Sequence, residues 1–150
     1  MTIRLGVIGS SAGNGHPYSW SAIFNGYDAE AMQECEYPVI PGYLSKQSWP
    51  DAKISGAEVS SIWTQDSELS ARIAKASCIE HISSTLVELE SRVDAGLLAR
   101  DDAENHLHFA RQFLLAGKPV YIDKPIALSM TALHELYDLQ QYSGQIFTCS

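Results

Sequence analysis

An aspartate, a lysine and a proline stand together at positions 123–125. The side chains of Asp123 and Lys124 can carry charge or move a proton, and Pro125 restricts the backbone of the residue before it. Residues 120–122, Val-Tyr-Ile, favour a strand. The carboxyl end of such a strand is where open α/β sheets bind their ligands. Alone, an Asp-Lys-Pro sequence is more often a surface turn with an ion pair, so its interpretation depends on the surrounding chain.

A loop of small residues follows the first predicted strand, which covers residues 3–8. Small side chains let a backbone approach a pyrophosphate, whose charge meets the amides at the start of the next helix. The dinucleotide pattern G-x-G-x-x-G is degenerate here, because counting from Gly9 places Ser11 and Asn14 where glycines are required. We predict that this loop contacts a cofactor through Gly9, Ser10, Ser11, Gly13, Asn14 and Gly15.

The elements that must position these residues alternate between strands and helices. Apolar runs predict strands at 3–8, 58–64, 79–82, 93–99, 120–122 and 145–150. Helical spacing predicts helices at 18–24, 68–77, 84–90, 105–116 and 130–142. Ser19 is the predicted N-cap of the first helix, and Gly117 is the predicted left-handed residue after the fourth. The alternation predicts one doubly wound α/β domain of the Rossmann type, with a mostly parallel six-stranded sheet, over residues 1–150.

Residues 26–57 do not fit this alternation. Prolines and dispersed aromatic residues interrupt the segment, and a connection of about thirty residues is long for a compact domain. Two interpretations stay open. The aromatic side chains either pack over the edge of the sheet or form an interface with a partner.

Composition restricts the class of function. A chain of 150 residues that is 45% hydrophobic can bury one core. Its net charge of −8 argues against nucleic-acid and anionic-membrane partners. The sequence shows no leader peptide and no apolar run of membrane length. The three cysteines, Cys35, Cys78 and Cys149, lack metal-ligand spacing. We therefore expect no metal site and a location in the reducing cytoplasm.

Residues 116–127 read Ala-Gly-Lys-Pro-Val-Tyr-Ile-Asp-Lys-Pro-Ile-Ala. This stretch closely resembles the signature Ala-Gly-Lys-x-Val-x-x-Glu-Lys-Pro-Leu-Ala of the glucose–fructose oxidoreductase, inositol dehydrogenase and MocA-like (Gfo/Idh/MocA) family. Asp123 replaces the family glutamate, and Lys124 and Pro125 match. The resemblance covers nearly all of the chain except residues 26–56. Together with right-handed crossovers, it implies the strand order 3-2-1-4-5-6.

The resemblance also implies an activity. Family members oxidise a secondary alcohol of a sugar or polyol, or reduce the ketone, with NAD or NADP, and NAD is slightly favoured here. Lys124 would lie near the reacting hydroxyl with Asp123 beside it, and Pro125 would lie near the cofactor. A substrate domain would follow the sixth strand, and an apolar face left uncovered without it would favour a homo-oligomer. A non-catalytic nucleotide-binding or regulatory module, and an NAD-using lyase or glycosidase of the same fold, are the alternatives.

Three further positions are predicted to contact the cofactor or substrate. Asp66 either accepts the ribose hydroxyls or serves as an acid at a helix start, since the family's usual acidic position aligns with Thr64. Arg100 and Asp101 begin a charged sequence that replaces the family's Thr-Pro pair. That sequence either pairs with itself or contacts a polar substrate. His106 occupies a family histidine position, where a hydrogen-bonding role at the helix start is expected.

Overall fold

Six short apolar segments form one sheet in the computed structural model, which describes residues 1–149. The strands are β1 (Ile3–Ile8), β2 (Ala57–Trp63), β3 (His81–Ile82), β4 (Ala95–Leu98), β5 (Val120–Ile122) and β6 (Ile146–Thr148). Their order is β3-β2-β1-β4-β5-β6, and every neighbouring pair is parallel. The predicted fold class and strand order are confirmed. Position 150, the predicted end of the sixth strand, lies outside the described residues.

Seven helices flank the sheet. They are α1 (His16–Asn25), α2 (Ala29–Gln33), α3 (Val39–Leu44), α4 (Ser67–Ala76), α5 (Leu86–Arg92), α6 (His106–Leu115) and α7 (Met130–Asp138). Polar side chains cap four of them: backbone amides are accepted by Asp28 in α2, Asp66 in α4, Thr85 in α5 and Ser129 in α7. Gly117 follows α6 with φ +74°, as predicted for the residue that ends this helix.

Two predicted helix boundaries are wrong. Ser19 is not an N-cap, because α1 already begins at His16, and Pro17 supplies a suitable backbone angle in its first turn. The last helix stops at Asp138 and does not reach position 142. The side chains of Gln141 and Gln145 donate to the carbonyl of Leu114 at 2.6 and 2.8 Å, which holds this segment against the end of α6.

The core has two layers, one on each face of the sheet. Alternate residues of a strand point to opposite faces. Val7 accordingly packs with α1 and α4, whereas Ile8 packs with α6 and α7. Both side chains are fully buried. The second layer includes Phe113 and Leu136, which are also buried.

The segment between α1 and β2 folds into two short helices, α2 and α3, and not into an open loop. Met32, Ile40 and Leu44 are buried in the core layer that contains Val7, α1 and α4. Helix α2 packs against α4. The segment also reaches the loop after β1, because an added Cβ at Gly15 would lie 2.7 Å from Ile40 and 2.9 Å from Tyr37. The structure thus supports the packing interpretation of this segment.

Candidate active site

The carboxyl ends of the parallel strands meet at one edge of the sheet. The sheet order places the loop after β1, residues 9–15, between the segments that follow β2 and β4. The chain adds strands first to one side of β1 and then to the other, since β2 lies on one side and β4 on the opposite side. Such a switch point is where doubly wound sheets bind ligands. The predicted site residues that follow β1, β2, β4 and β5 therefore share one edge.

Side-chain hydrogen bonds between three pairs of residues fasten the loop after β1 to the segments that follow β2, β4 and β5. They join Gln65 Nε2 to the Ser10 carbonyl (2.7 Å), Ser11 Oγ to Asp101 Oδ1 (2.6 Å), and Asn14 Nδ2 to Asp123 Oδ2 (2.9 Å). The predicted site residues Ser11, Asn14 and Asp101 thus hold the loop in shape. Any contact that they make with a cofactor stays a prediction.

The backbone of this loop leaves room and free amides for an anion, as a phosphate cradle requires. Gly9 has φ +66°, and an added Cβ would lie 2.8 Å from Arg100 Cδ, so this position is closely packed. Gly13 has φ +78° with no atom within 4 Å of an added Cβ, so its backbone faces open space. Within residues 1–149, the amides of Ser11, Ala12, Gly13 and Gly15 donate no hydrogen bond. These amides can bind an anion such as a pyrophosphate.

The first turn of α1 contributes less than the sequence predicts. The amide of His16 donates to Asn14 Oδ1 at 2.9 Å, and Pro17 has no amide hydrogen. The amides of Tyr18 and Ser19 donate to the carbonyl of Gly15. An anion at this edge can consequently accept hydrogen bonds from the amides of the loop but not from those at the start of the helix.

The charged sequence after β4 pairs mainly with itself. Arg100 is buried, and its guanidinium donates to both carboxylate oxygens of Asp102 at 2.8 and 2.5 Å. The guanidinium also lies 4.2 Å from the ring centroid of Phe109 and donates to Gln65 Oε1 at 3.2 Å. Of the two interpretations of this sequence, the structure supports the self-paired cluster. A contact of Arg100 with the cofactor stays a prediction.

The Arg100–Asp102 pair predicts an effect of pH on stability. The hydrogen bonds from Arg100 lower the pKa of Asp102 below its usual value of 3.8. A carboxyl with a lowered folded-state pKa stabilises the protein above its unfolded-state pKa, and the contribution disappears as pH falls through the folded-state pKa. We expect Asp102→Asn to lower the free energy of unfolding at pH 7, and the difference from wild type to shrink below about pH 4. Urea unfolding at several pH values measures this, and an equal difference at all pH values would contradict it.

Two other predicted contact residues have structural roles. Asp66 Oδ1 accepts the amides of Glu68 and Leu69 at 2.9 and 3.2 Å, so it caps α4. His106 is 1% exposed, and its ring nitrogens lie 2.7 and 3.0 Å from the carbonyls of Arg100 and Ile126. The structure gives His106 the predicted hydrogen-bonding role, which joins the segments after β4 and β5. We treat it as a positioning residue.

The segment after β5 holds one buried and one exposed functional group. The carboxylate of Asp123 is fully buried, and its Oδ1 accepts the amide of Lys124 at 2.8 Å. Lys124 is exposed and forms no ion pair among residues 1–149. Pro125 follows it through a cis peptide bond. The structure therefore does not support an Asp123–Lys124 surface ion pair, and the ammonium group is free to meet a ligand.

Sequence reasoning missed one residue of this site, His16. Its Nδ1 lies 2.5 Å from Asp123 Oδ2, and its ring stacks on Trp20 with a centroid distance of 4.7 Å and an interplanar angle of 13°. The side chain is 34% exposed. The available signal was a histidine directly after the small-residue loop, at a predicted ligand-binding edge.

Two cavities adjoin the loop, and Gly13 and Tyr37 line both. One, of about 300 Å³, lies toward α4 and is bordered among others by Ser10, Asn14, Glu34, Glu36, Gln65 and Arg72. The other, of about 450 Å³, lies along α1 and is bordered among others by His16, Trp20, Val39, Ile40 and Tyr43. The segment between α1 and β2 thus supplies a wall to each cavity.

Neither a metal cluster nor a membrane span is evident in the described part of the chain. Across residues 1–149, no three His, Cys, Asp or Glu side chains are placed to hold a metal ion. No helix there has both the length and the apolar character needed to cross a membrane.

The strand order and the tethered small-residue loop define a dinucleotide-binding domain. A family model described as "Oxidoreductase family, NAD-binding Rossmann fold" matches residues 3–150. The chain belongs to this family, Gfo/Idh/MocA, which confirms the resemblance noted in the sequence.

Solved structures share the fold of this chain, and a curated sequence resembles part of it. A Gfo/Idh/MocA family oxidoreductase from Vibrio cholerae is 17% identical with a TM-score of 0.67, and the match covers 99% of this chain and 38% of that one. A UDP-N-acetylglucosamine 3-dehydrogenase from Acidithiobacillus ferrooxidans is 16% identical with a TM-score of 0.61, over 93% of this chain and 35% of that one. Biliverdin reductase A of Mus musculus is 40% identical over 45 residues, which are 30% of this chain and 15% of the relative. The chain therefore spans little more than a third of the length of these solved structures.

Proposed function

We propose that this domain binds NAD in a protein that exchanges a hydride with a secondary alcohol or ketone of a sugar- or polyol-like substrate. The observation that carries the proposal is the free ammonium group of Lys124 at the edge of the sheet that also presents the phosphate cradle. The A. ferrooxidans protein is a dehydrogenase of a nucleotide sugar, which supports this substrate class. The partial coverage of that structure supports a separate substrate domain.

Each group of the site has a proposed part. The loop amides bind the pyrophosphate, and the nicotinamide supplies the hydride acceptor when it is bound. The Lys124 ammonium lies at the substrate oxygen and stabilises the negative charge that develops there. Asp123, predicted from the sequence as catalytic, is fully buried behind Lys124, so we assign it a positioning role.

A dehydrogenase screen tests this proposal. The complete protein is offered NAD or NADP with a panel of sugars, nucleotide sugars and polyols, and the appearance of reduced nicotinamide is followed by absorbance. We expect turnover with at least one member of the panel. The 150-residue chain alone should show none, because we propose that a separate substrate domain orients the substrate and excludes water. Failure of every substrate with both cofactors would contradict the proposal.

We propose NAD and not NADP because of the side chains that line the cavity toward α4. Thr64, at the family's usual acidic position, is buried and bonds Ser70 Oγ at 2.8 Å, so it is turned away from a ligand. Two carboxylates of the segment between α1 and β2, Glu34 and Glu36, line the cavity instead, together with Arg72. We propose that these carboxylates accept the ribose hydroxyls and repel a 2′-phosphate, as an acid at the end of β2 does in other dinucleotide folds.

Cofactor preference in variants tests this assignment. We expect Glu34→Gln combined with Glu36→Gln to relax the preference for NADH over NADPH by about tenfold, or ~1.4 kcal/mol. Asp66→Ser is the matched comparison, because serine keeps an N-cap while it removes the charge. We expect the preference of Asp66→Ser to equal that of wild type in fluorescence titrations. A relaxed preference in Asp66→Ser alone would instead assign the ribose contact to Asp66.

A further inference from the structure

The hydrogen-bond partners of the buried Asp123 carboxylate are a side-chain amide, a backbone amide and a histidine ring. The carboxylate accepts from Asn14 Nδ2 at 2.9 Å, from the Lys124 amide at 2.8 Å, and faces His16 Nδ1 at 2.5 Å. No lysine or arginine side chain pairs with it within residues 1–149. A buried carboxylate needs hydrogen-bond donors, so His16 must present N–H and not a lone pair at Nδ1.

This hydrogen bond fixes the chemistry of the other ring nitrogen. In a neutral imidazole one nitrogen donates and the other accepts, so a proton on Nδ1 leaves a lone pair on Nε2. The stack on Trp20 and the bond to Asp123 together fix the plane of the His16 ring. In the described residues Nε2 has no hydrogen-bond partner, whereas both ring nitrogens of His106 face carbonyl oxygens. His16 therefore keeps one nitrogen for a ligand, and His106 does not.

His16 lies where the loop after β1 meets the cavity along α1. The cavity of about 450 Å³ is bordered by His16, Trp20, Tyr43 and also by Gly13, whose open backbone belongs to the phosphate cradle. Both His16 and Lys124 contact Asp123: the imidazole faces one oxygen of its carboxylate, and the backbone amide of Lys124 donates to the other. Asp123 thus links His16 to the residue that we place at the substrate oxygen.

We propose that His16 is a catalytic residue of this site and that Asp123 is its positioning residue. As the secondary alcohol is oxidised, its O–H proton moves to His16 Nε2, and its C–H bond breaks with transfer of a hydride to the nicotinamide. The electron pair left on oxygen forms the carbon–oxygen double bond as the C–H bond breaks, and His16 would release its proton to water before the next turnover. Ketone reduction follows the reverse route. This inference rests on the proposed function, and it adds a proton acceptor supplied by the dinucleotide-binding domain itself.

The protonation pattern of the ring gives a test without turnover. Long-range ¹H–¹⁵N spectra of the 150-residue chain distinguish a protonated from an unprotonated ring nitrogen. In the neutral imidazole of His16 we expect the proton on Nδ1 and a lone pair on Nε2. A His16 tautomer protonated at Nε2 alone would overturn the inference.

Kinetics of the complete protein give the second test. In His16→Asn the amide nitrogen replaces Nδ1 as donor to Asp123, while the acceptor at Nε2 is removed. We expect kcat to fall about 10²–10⁴-fold, as for loss of a positioned general base, while the Kd for NADH changes less than about twofold. His134→Asn, on the exposed face of α7, is the control and should keep wild-type kcat.

The outcomes separate the two hypotheses. Wild-type turnover with an unchanged kcat in His16→Asn would overturn the role of His16 and leave the proposed function intact. A fall in kcat that merely follows weaker NADH binding would also overturn it, because it would assign His16 to cofactor binding. Absence of turnover in wild type across the substrate panel would overturn both.

Discussion

Replacing Lys124 with alanine is expected to lower kcat of the complete enzyme by about 10²–10³-fold, the usual cost of losing one group that stabilises a developing negative charge. The affinity for the dinucleotide should change little, because the phosphates and ribose are bound by other residues. Lys124 is exposed and makes no ion pair in residues 1–149, so the fold should not depend on its side chain. Initial rates at saturating cofactor, with Kd values from fluorescence titration, measure the two effects separately.

Two comparison variants sharpen this experiment. Lys124→Arg keeps the positive charge but cannot release a proton near neutral pH, so it separates charge stabilisation from proton transfer. Lys75→Ala removes an exposed lysine at the end of α4 and should keep wild-type activity. An unchanged kcat in Lys124→Ala would remove this residue from the catalytic machinery.

Replacing Gly13 with alanine is expected to weaken dinucleotide binding at least tenfold, or by ~1.4 kcal/mol. The added methyl group meets no protein atom within 4 Å, so the packing of the domain is preserved. It would occupy the open space over the cradle in which we place the pyrophosphate. Calorimetric titration with NADH measures the loss of affinity.

Strain at a positive φ accompanies this substitution and needs its own control. Gly56 has φ +86° and likewise no atom within 4 Å of an added Cβ, but it lies in the turn before β2. Gly56→Ala should therefore share the backbone penalty, of about 1–2 kcal/mol, without the effect on binding. Equal NADH affinity in the two variants would place the phosphates away from the loop after β1.

The regular part of the fold was predictable because its signals are local. The strand Val120–Ile122 has the predicted bounds, and Gly117 ends the preceding helix as its sequence position indicates. Boundary errors arose where tertiary contacts compete with helical spacing. Residues 139–142 continue an amphipathic pattern, but the side chain of Gln141 binds the end of α6 and a turn results.

The candidate site was predictable in its place but not in its connections. The sequence located the loop after β1 and the segment after β5, because strand ends and small residues are visible locally. It did not indicate that Asn14 and Asp123 are hydrogen-bonded, since 109 residues separate them. His16 was missed for the same reason, because its function depends on a buried partner 107 residues away. The same reason applies to Glu34 and Glu36 in the segment between α1 and β2. Their place at the cavity toward α4 depends on the packing of the short helices α2 and α3.

The side-chain hydrogen bonds that tie the loop after β1 to the segments after β2, β4 and β5 also determine at which step the loop loses its conformational entropy. Because those bonds form within the domain, the loss of loop conformational entropy accompanies folding and not ligand capture. A dinucleotide that binds to this loop does not need to order the loop backbone, so the measured entropy of binding should not contain that loss. The entropy of association then reports mainly on released water and on the ligand's own loss of freedom.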